Sequence, residues 1–550
     1  MPLQKVRIGE KLVDYLGNTS GVLGNNIPGL QMLLGIEGFG YGETKSFTPD
    51  PRPGHKPPII YQNSPWKLVN ADGLSNPGVD EGARQLGSLV VPWNKALIGS
   101  VAGKDKEELV YCASRLESRV DALSINITCP NVGKDRLAVG LNPDLVYEVV
   151  SAVRRVTRKP IFFKLSPKGD VVQIAQVAYA AGANGIIATN TIPGGTATLP
   201  DGKPILTNIV GGKSGAELYP RSLECVGLVH YVLPDATILA AGGIHSARTI
   251  LSYHDVGASG FSIGTYLSGL KGRDGIQEWA NVVRADIREG TDNASALFNP
   301  VDSEYHLATI TEVLGSASDF KVLKTDQKID AKPGQFVDVF IQGETERPFS
   351  VLDNNPFSIA VQARGDFSGL LNSLKPGNQL YFRGSNGRAL DVPFDSSVVL
   401  VGGGTGSAGV YLMAREFSKK ARVTSLLGAR DREHIPFLDE FKQVGRVYVA
   451  TLDGSYKGSN GIGGNVTDLF DRDKIKIRFA EGSLFYNCGP DAMIEEARKC
   501  ELKLVGIGNI VSSREKIMRC GGYMLCGSCI DERGRITCRE GPFLPELNTL

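Results

Sequence analysis

The chain has no long apolar run. No stretch of its 550 residues reaches the ~18 that a membrane-spanning helix needs. Its first residues, MPLQKVRIGEKLVDYLG, lack the apolar core of an export signal, so a cytoplasmic location is expected. Neither sign of charge is in excess: 60 Lys and Arg against 59 Asp and Glu leave a net charge of +1. That balance removes the electrostatic case for nucleic acid or an anionic membrane surface as partner. The sequons at Asn18, Asn126, Asn293 and Asn465 would go unused in a cytoplasmic chain. There is no internal repeat and no low-complexity linker, so the parts of the chain are expected to pack together. Glycine, in contrast, is plentiful at 66 residues, which suits backbone packed against phosphates and cofactors. At ~100–200 residues per domain, the length corresponds to roughly three to five domains.

Four of the nine cysteines, Cys520, Cys526, Cys529 and Cys538, fall within 19 residues in the spacing C-x5-C-x2-C-x8-C. A short loop rich in thiols and glycine can wrap an iron–sulfur cluster, because thiolates ligate iron and small residues let backbone amides approach the sulfurs. The spacing differs by one residue in its first gap from the plant-type C-x4-C-x2-C…C pattern. A structural zinc site is the alternative, although zinc sites bring cysteines as two well-separated close pairs and only Cys526 and Cys529 form such a pair. A disulfide staple belongs with an export signal.

From about residue 95 to 270, short apolar runs alternate with amphipathic helical segments. ALSINIT (122–128), PIFFKLS (160–166), NGIIATN (184–190), ATILAAG (236–242) and SGFSIG (259–264) read as buried parallel strands. Strand count and span favour a (β/α)8 barrel over a doubly wound sheet. From 303 to 395 the runs are short and β-like with turn signals AKPGQ, LKPGN and GSNGR, as in a small antiparallel barrel. From 396 to 507, strand–glycine loop–helix units return as a second, smaller α/β domain. The expected domains are therefore 1–298, 299–395, 396–507 and a cysteine segment at 508–550.

Polar residues gather where strands should end, which in such barrels is where catalysis resides. NITCPN spans Asn126 to Asn131, Lys164 ends FFK, and Asn190 and Thr191 follow IIAT. Asn70, Asn126, Asn131 and Asn190 offer donors and acceptors suited to a pyrimidine-like imide edge. Lys164 calls for an anion or an electron-rich ring, and Cys129 is the ionisable group there able to act as a base near neutral pH. The turns GGKSG (211–215), AGGI (241–244) and SIGT (262–265) read as a phosphate cradle.

In order, TKSFTPDPRPG, LVNADGLSNPGVD, NITCPNV, FFKLSP, NTIPGG, GGKSG, AGGI and SIGT resemble the class 1 dihydroorotate dehydrogenases over about residues 15–270. The resemblance implies FMN at the barrel mouth and oxidation of dihydroorotate to orotate in pyrimidine (UMP) synthesis. By position, Cys129 would take the C5 proton while the C6 hydride passes to flavin N5. Lys45, Asn70, Gly73, Leu74, Asn126, Asn131, Asn190 and Thr191 would hold substrate. Ser20, Gly21, Lys45, Asn126, Lys164, Gly215, Gly242, Gly243, Gly264 and Thr265 would hold FMN. The cysteine base excludes the class 2 relatives, which use serine. Asn131 favours dihydroorotate over the substrates of dihydropyrimidine dehydrogenases, which carry histidine there. Asp72 departs from the family by placing a carboxylate where an apolar residue is usual. Beside an anionic substrate it would weaken binding unless it points away.

Arg347, Pro348, Phe349 and Ser350 form the R-x-[FY]-S motif that holds FAD in ferredoxin-reductase-like barrels, where arginine pairs with pyrophosphate. RGDFSGLL, with Gly365 and Ser368, and RGSNGRAL follow at the expected later positions. In VLVGGGTGSAG, Gly403, Gly404, Thr405 and Gly406 lie between a strand and a helix, where free amides suit a dinucleotide pyrophosphate. Cys488 and Gly489 match the cysteine–glycine–proline turn near the nicotinamide in reductases. With the terminal cysteines, residues 303–550 resemble the electron-transfer subunit of class 1B dihydroorotate dehydrogenases, which carries FAD and a [2Fe–2S] cluster. The reading is a fused class 1B enzyme, expected as a homodimer, sending electrons from dihydroorotate through FMN, the cluster and FAD to NAD+. Its rivals are a pyrimidine reductase running from NAD(P)H and a flavoprotein carrier donating to a protein partner.

Overall fold

A computed structural model describes the chain except residues 1–2, 65–66, 129–138, 302, 316–318, 436 and 548–550. It divides into two compact units, Met1–Ser303 with Arg519–Ile536, and Glu304–Met518 with Thr537–Leu550. No helix among the described residues is long and apolar enough to cross a membrane.

The first unit is built on a closed eight-stranded barrel: β1 (Leu16–Asn18), β2 (Phe39–Glu43), β3 (Ala96–Val101), β4 (Ala122–Ile125), β5 (Ile161–Lys164), β6 (Gly185–Ala188), β7 (Thr237–Ala241) and β8 (Gly260–Ile263). Neighbours pair in parallel, and β8 closes on β1 with Phe261 opposite Leu16. Each of the five apolar runs expected to be strands contributes one. Several strands, such as ALSI and IFFK, are buried at every residue, as required when helices cover one face of a strand and the barrel core the other. The helix Pro143–Val156 shows how the cover is encoded. Asn142 caps it through Oδ1, accepting from Asp144 N at 2.9 Å, and proline stands at its start. Val146, Val149, Val150 and Val153 form its buried stripe. Replacing the Asn142 cap by alanine would cost about 1 kcal/mol.

Because all eight strands run the same way, their carboxyl ends share one rim. A separate four-stranded antiparallel sheet forms beside it from Ile60–Ser64, Lys67–Asn70, Val210–Gly215 and Ile192–Thr196, pairing Asn70 with Gly212. The segment Arg519–Ile536 belongs to this unit too. Leu23 N donates to Leu525 O at 2.8 Å, Asn26 Nδ2 to Gly527 O at 2.9 Å, and Gln62 N to the buried Tyr523 hydroxyl at 3.2 Å.

The second unit opens with a closed six-stranded antiparallel barrel: β9 (His306–Leu314), β10 (Phe320–Thr325), β11 (Phe336–Phe340), β12 (Glu346–Asn354), β13 (Phe357–Gln362) and β14 (Gln379–Asn386). A seven-stranded sheet follows: β15 (Ser397–Gly403), β16 (Arg422–Ala429), β17 (Arg446–Thr451), β18 (Gly461–Gly463), β19 (Leu484–Cys488), β20 (Ile510–Ser513) and β21 (Phe543–Pro545), in the order β18-β17-β16-β15-β19-β20-β21. Its strands are parallel except for the β20–β21 pair. The order reverses at β15, which places a crevice at its carboxyl end, where doubly wound sheets bind nucleotides.

Candidate active site

The carboxyl rim of the first barrel surrounds a cavity of about 1130 Å³ of empty space including its mouth. Ser20 and Gly21 follow β1, Lys45 follows β2, Asn126 follows β4, Lys164 ends β5, and Asn190 and Thr191 follow β6. Gly242 and Gly243 follow β7, and Gly264 and Thr265 follow β8. Asn70, Leu74 and Gly215 complete the predicted residues in the lining. Gly73 precedes Leu74 and packs against the His55 ring, its Cβ position 3.1 Å from the ring carbons. Cys129 and Asn131 lie outside the described residues.

The side chains are held by a continuous network. Ser46 Oγ contacts Ser100 Oγ at 2.8 Å and accepts from Asn126 Nδ2 at 2.9 Å. Asn190 Nδ2 donates to Asn126 Oδ1 and to Thr128 Oγ1, both at 3.1 Å, and Thr128 donates onward to Lys164 O at 3.0 Å. Buried Glu43 accepts from Ser20 N and Ser124 Oγ, each at 2.7 Å. Asparagines locked this way present fixed donors and acceptors to a ligand, which lowers the ordering cost of binding.

The cavity fits a flavin. Thr189 lines it, and its Oγ1 is buried with no partner. Gly215, Gly242 and Gly243 have positive φ, and a Cβ on Gly243 would fall 2.6 Å from Tyr219 Cβ and 3.0 Å from Gly215 O. The backbone can therefore approach a phosphate closely only because these residues are glycine. Lys164, buried in the same lining, would set a cation beside the electron-rich edge of such a ring.

Asp72 points into this site. Its carboxylate lies 2.5 Å from Lys45 Nζ and 3.5 Å from Arg519 Nη2, and it accepts from Ser75 N at 3.0 Å. Burial alone would raise its pKa, but Lys45, Arg519 and Ser75 hold it down to about 2, so it is ionised.

Leu525 and Cys526 line the same cavity. Cys520, Cys526 and Cys529 are buried. The Cys520 thiol hydrogen-bonds Cys526, which lowers Cys526 to about 6 and pushes Cys520 up. Ser528 N donates to Cys526 Sγ at 3.4 Å. Among the described residues, no three His, Cys, Asp or Glu side chains converge on one metal ion. A two-iron cluster divides four thiolates between its irons, and a thiol pair with an amide aimed at sulfur fits that chemistry. Cys538, the fourth cysteine of the motif, is buried in the second unit.

In the second unit three separated motifs meet. A Cβ on Gly406 would fall 2.1 Å from Cys488 O, and one on Gly409 would fall 2.7 Å from Cys488 Sγ and 3.4 Å from Ser350 Oγ. Ser350 thus lies beside the glycine turn and the cysteine turn. Burial pushes the Cys488 thiol up to about 11, so it stays protonated. Arg347, with Pro348 and Phe349 on β12, donates to Thr345 Oγ1 at 3.3 Å, and Phe349 packs against Phe367 with ring centroids 6.4 Å apart. Ser368 Oγ accepts from Gly365 N at 3.1 Å, capping the helix Asp366–Ser373.

The family described as "Dihydroorotate dehydrogenase" matches residues 3–278, about half of the chain. The catalytic subunit of dihydroorotate dehydrogenase B (NAD(+)) of Methanocaldococcus jannaschii is 37% identical over 250 residues, which are 45% of this chain and 81% of that one. Its counterpart in Pyrococcus horikoshii is also 37% identical, over 43% of this chain and 77% of that one.

The chain belongs to the dihydroorotate dehydrogenase family.

It is therefore an oxidoreductase, and it carries more than these relatives' catalytic part. Residues 400–499 match the oxidoreductase NAD-binding domain, so a family barrel and a nucleotide-binding reductase module share one polypeptide. Several residues of the site were not singled out from the sequence. Ser46 and Thr128 sit next to predicted residues, yet a hydroxyl in a strand-end loop carries no periodic signal. Leu525 is hundreds of positions away from the rim it joins.

Proposed function

We propose that the chain oxidises dihydroorotate to orotate in pyrimidine synthesis, with electrons leaving by way of FMN, a [2Fe–2S] cluster and FAD to NAD+. The cavity carries this reading: amide donors and acceptors at Asn70, Asn126 and Asn190, the cations Lys45 and Lys164, and Cys526 share one lining. When bound, FMN supplies a hydride acceptor. Cys129 takes the C5 proton. The asparagines bind the imide edge, and their cross-links to Ser46 and Thr128 hold it in one orientation. Cys520, Cys526 and Cys529 hold the cluster, with Cys538 as the fourth thiolate that the motif supplies. Arg347 to Ser350 hold FAD, and Gly403 to Gly406 with Cys488 and Gly489 receive NAD+.

One observation favours a second reading. The Lys45–Asp72 pair places a protein carboxylate beside a substrate cation, which would suit a pyrimidine without a carboxylate, reduced from NAD(P)H. Anaerobic stopped-flow mixing separates the readings. Prompt bleaching of FMN by dihydroorotate, with no response to dihydrouracil, is the expected result. Bleaching by dihydrouracil alone would move the assignment to the second reading, and bleaching by neither would leave a carrier that serves a protein donor.

A further inference from the structure

Arg519 immediately precedes Cys520, yet its guanidinium reaches into the substrate loop. Nη2 donates to His55 O at 3.1 Å and lies 3.5 Å from Asp72 Oδ1, while Nε is buried without a partner. Asp72 is fixed from its own side by Ser75, whose N and Oγ both donate to it, and by Lys45 at 2.5 Å. The loop beneath is shaped for this arrangement. Gly54 has φ of 71°, and a Cβ there would fall 2.4 Å from Asp72 O and 2.8 Å from Arg519 Nη2. Lys45 is itself buried, so its ammonium has little water to turn to. One carboxylate therefore holds two cations, one in the substrate cavity and one at the root of the cysteine segment.

We propose that Asp72 is a positioning residue with opposite effects on the two ends of this site: it withholds Lys45 from the substrate carboxylate and fastens Arg519, hence the cysteine segment, to the substrate loop. The proposal rests on dihydroorotate being the substrate and on the cysteines holding iron. Asp72 would trade substrate affinity for a secured cluster segment. A lesion that merely loosened the fold would weaken both ends together.

The holoenzyme, Asp72→Asn and Arg519→Met are compared by two measurements: orotate affinity from the flavin absorption change, and the rate of iron release to a ferrous chelator. Asparagine keeps an acceptor for Ser75 N and removes the charge. Asp72→Asn should tighten orotate about fivefold, as expected for a partly screened charge at this range, and speed iron release by a similar factor. Arg519→Met should speed iron release and leave orotate affinity within about twofold. Weaker orotate binding in Asp72→Asn, or iron release at the parent rate in both variants, would overturn the proposal. If the parent flavin responds to uracil and not to orotate, the substrate reading fails and takes the Lys45 half with it, and iron release then decides the Arg519 half alone.

Discussion

Asn26 Nδ2 donates to Gly527 O at 2.9 Å, across 501 positions of sequence, while its Oδ1 accepts from Gly29 N at 2.9 Å. One side chain thus caps the helix Ile27–Leu34 and ties down the loop between Cys526 and Cys529. Asn26→Ala should remove both bonds, costing about 1–2 kcal/mol for the cap alone. Iron should also be lost faster on dilution. Thermal unfolding followed by flavin fluorescence checks the first effect and iron content the second. An unchanged midpoint would mean that water replaces the side chain at both ends.

Cys129→Ser should keep FMN and orotate binding and lose most dihydroorotate oxidation near neutral pH, because a hydroxyl is a far poorer base than a thiol. The expected loss is about 10²–10⁴-fold. Activity within about threefold of the parent would falsify the role of Cys129 as base.

Cys526→Ser should separate the two halves of the enzyme. The cluster should be lost or destabilised, while the barrel still reduces an artificial dye with dihydroorotate and the second unit still oxidises NADH. Coupled turnover of dihydroorotate with NAD+ should stop. Persistence of coupled turnover in protein shown to lack iron would remove the cluster from the electron path. Stoichiometric zinc in the parent would favour the zinc reading of the four cysteines.

Gly409→Ala should impair the second unit alone. The new Cβ would meet Cys488 Sγ at 2.7 Å, closer than the turn allows without a shift. NADH-dependent dye reduction should fall about tenfold, as for a shift that costs 1–2 kcal/mol, and dihydroorotate-dependent dye reduction should not change. Equal losses in both assays would show a general folding defect.

Asp338 on β11 gives the stability a pH dependence. Burial, then the neighbouring Glu346 carboxylate, raise it to about 7, against Arg383 and the Asn386 amide. Glu346 is itself engaged by Arg383 at 2.6 Å and by the Tyr305 hydroxyl. The folded pKa lies above the unfolded value of 3.8, so the folded state binds the proton more tightly. The contribution to stability is complete below about pH 4 and is lost as pH rises through about 7. Asp338→Asn should flatten that part of the profile and raise the unfolding midpoint at pH 8 by a few degrees, at roughly 2–4 °C per kcal/mol. A profile parallel to that of the parent between pH 4 and 8 would show that another group sets it.

The apolar runs and glycine turns of this sequence determined the parallel barrel, the smaller antiparallel barrel and the strand–turn–helix nucleotide module. Each of those signals is local: a short apolar run bounded by turn residues reads as a strand buried on both faces, and a glycine turn after it exposes amides. The same locality placed Asn126, Lys164 and Asn190 at strand ends, where parallel closure brings them to one rim, whereas Ser20 and Lys45 were expected in the site only from the family resemblance. Only the tertiary structure decided what those residues meet. Asp72 carries the same charge in either surrounding, and whether it repels a substrate or holds Lys45 and Arg519 depends on which groups the fold sets within 4 Å. The cysteine motif likewise reads as one terminal segment, yet Arg519–Ile536 belongs with the first barrel while β20 and β21 lie in the second unit. Spacing along the chain fixes the loop that the thiols can form. Hydrogen bonds such as Leu23 to Leu525, made across the length of the chain, fix the surface on which that loop settles.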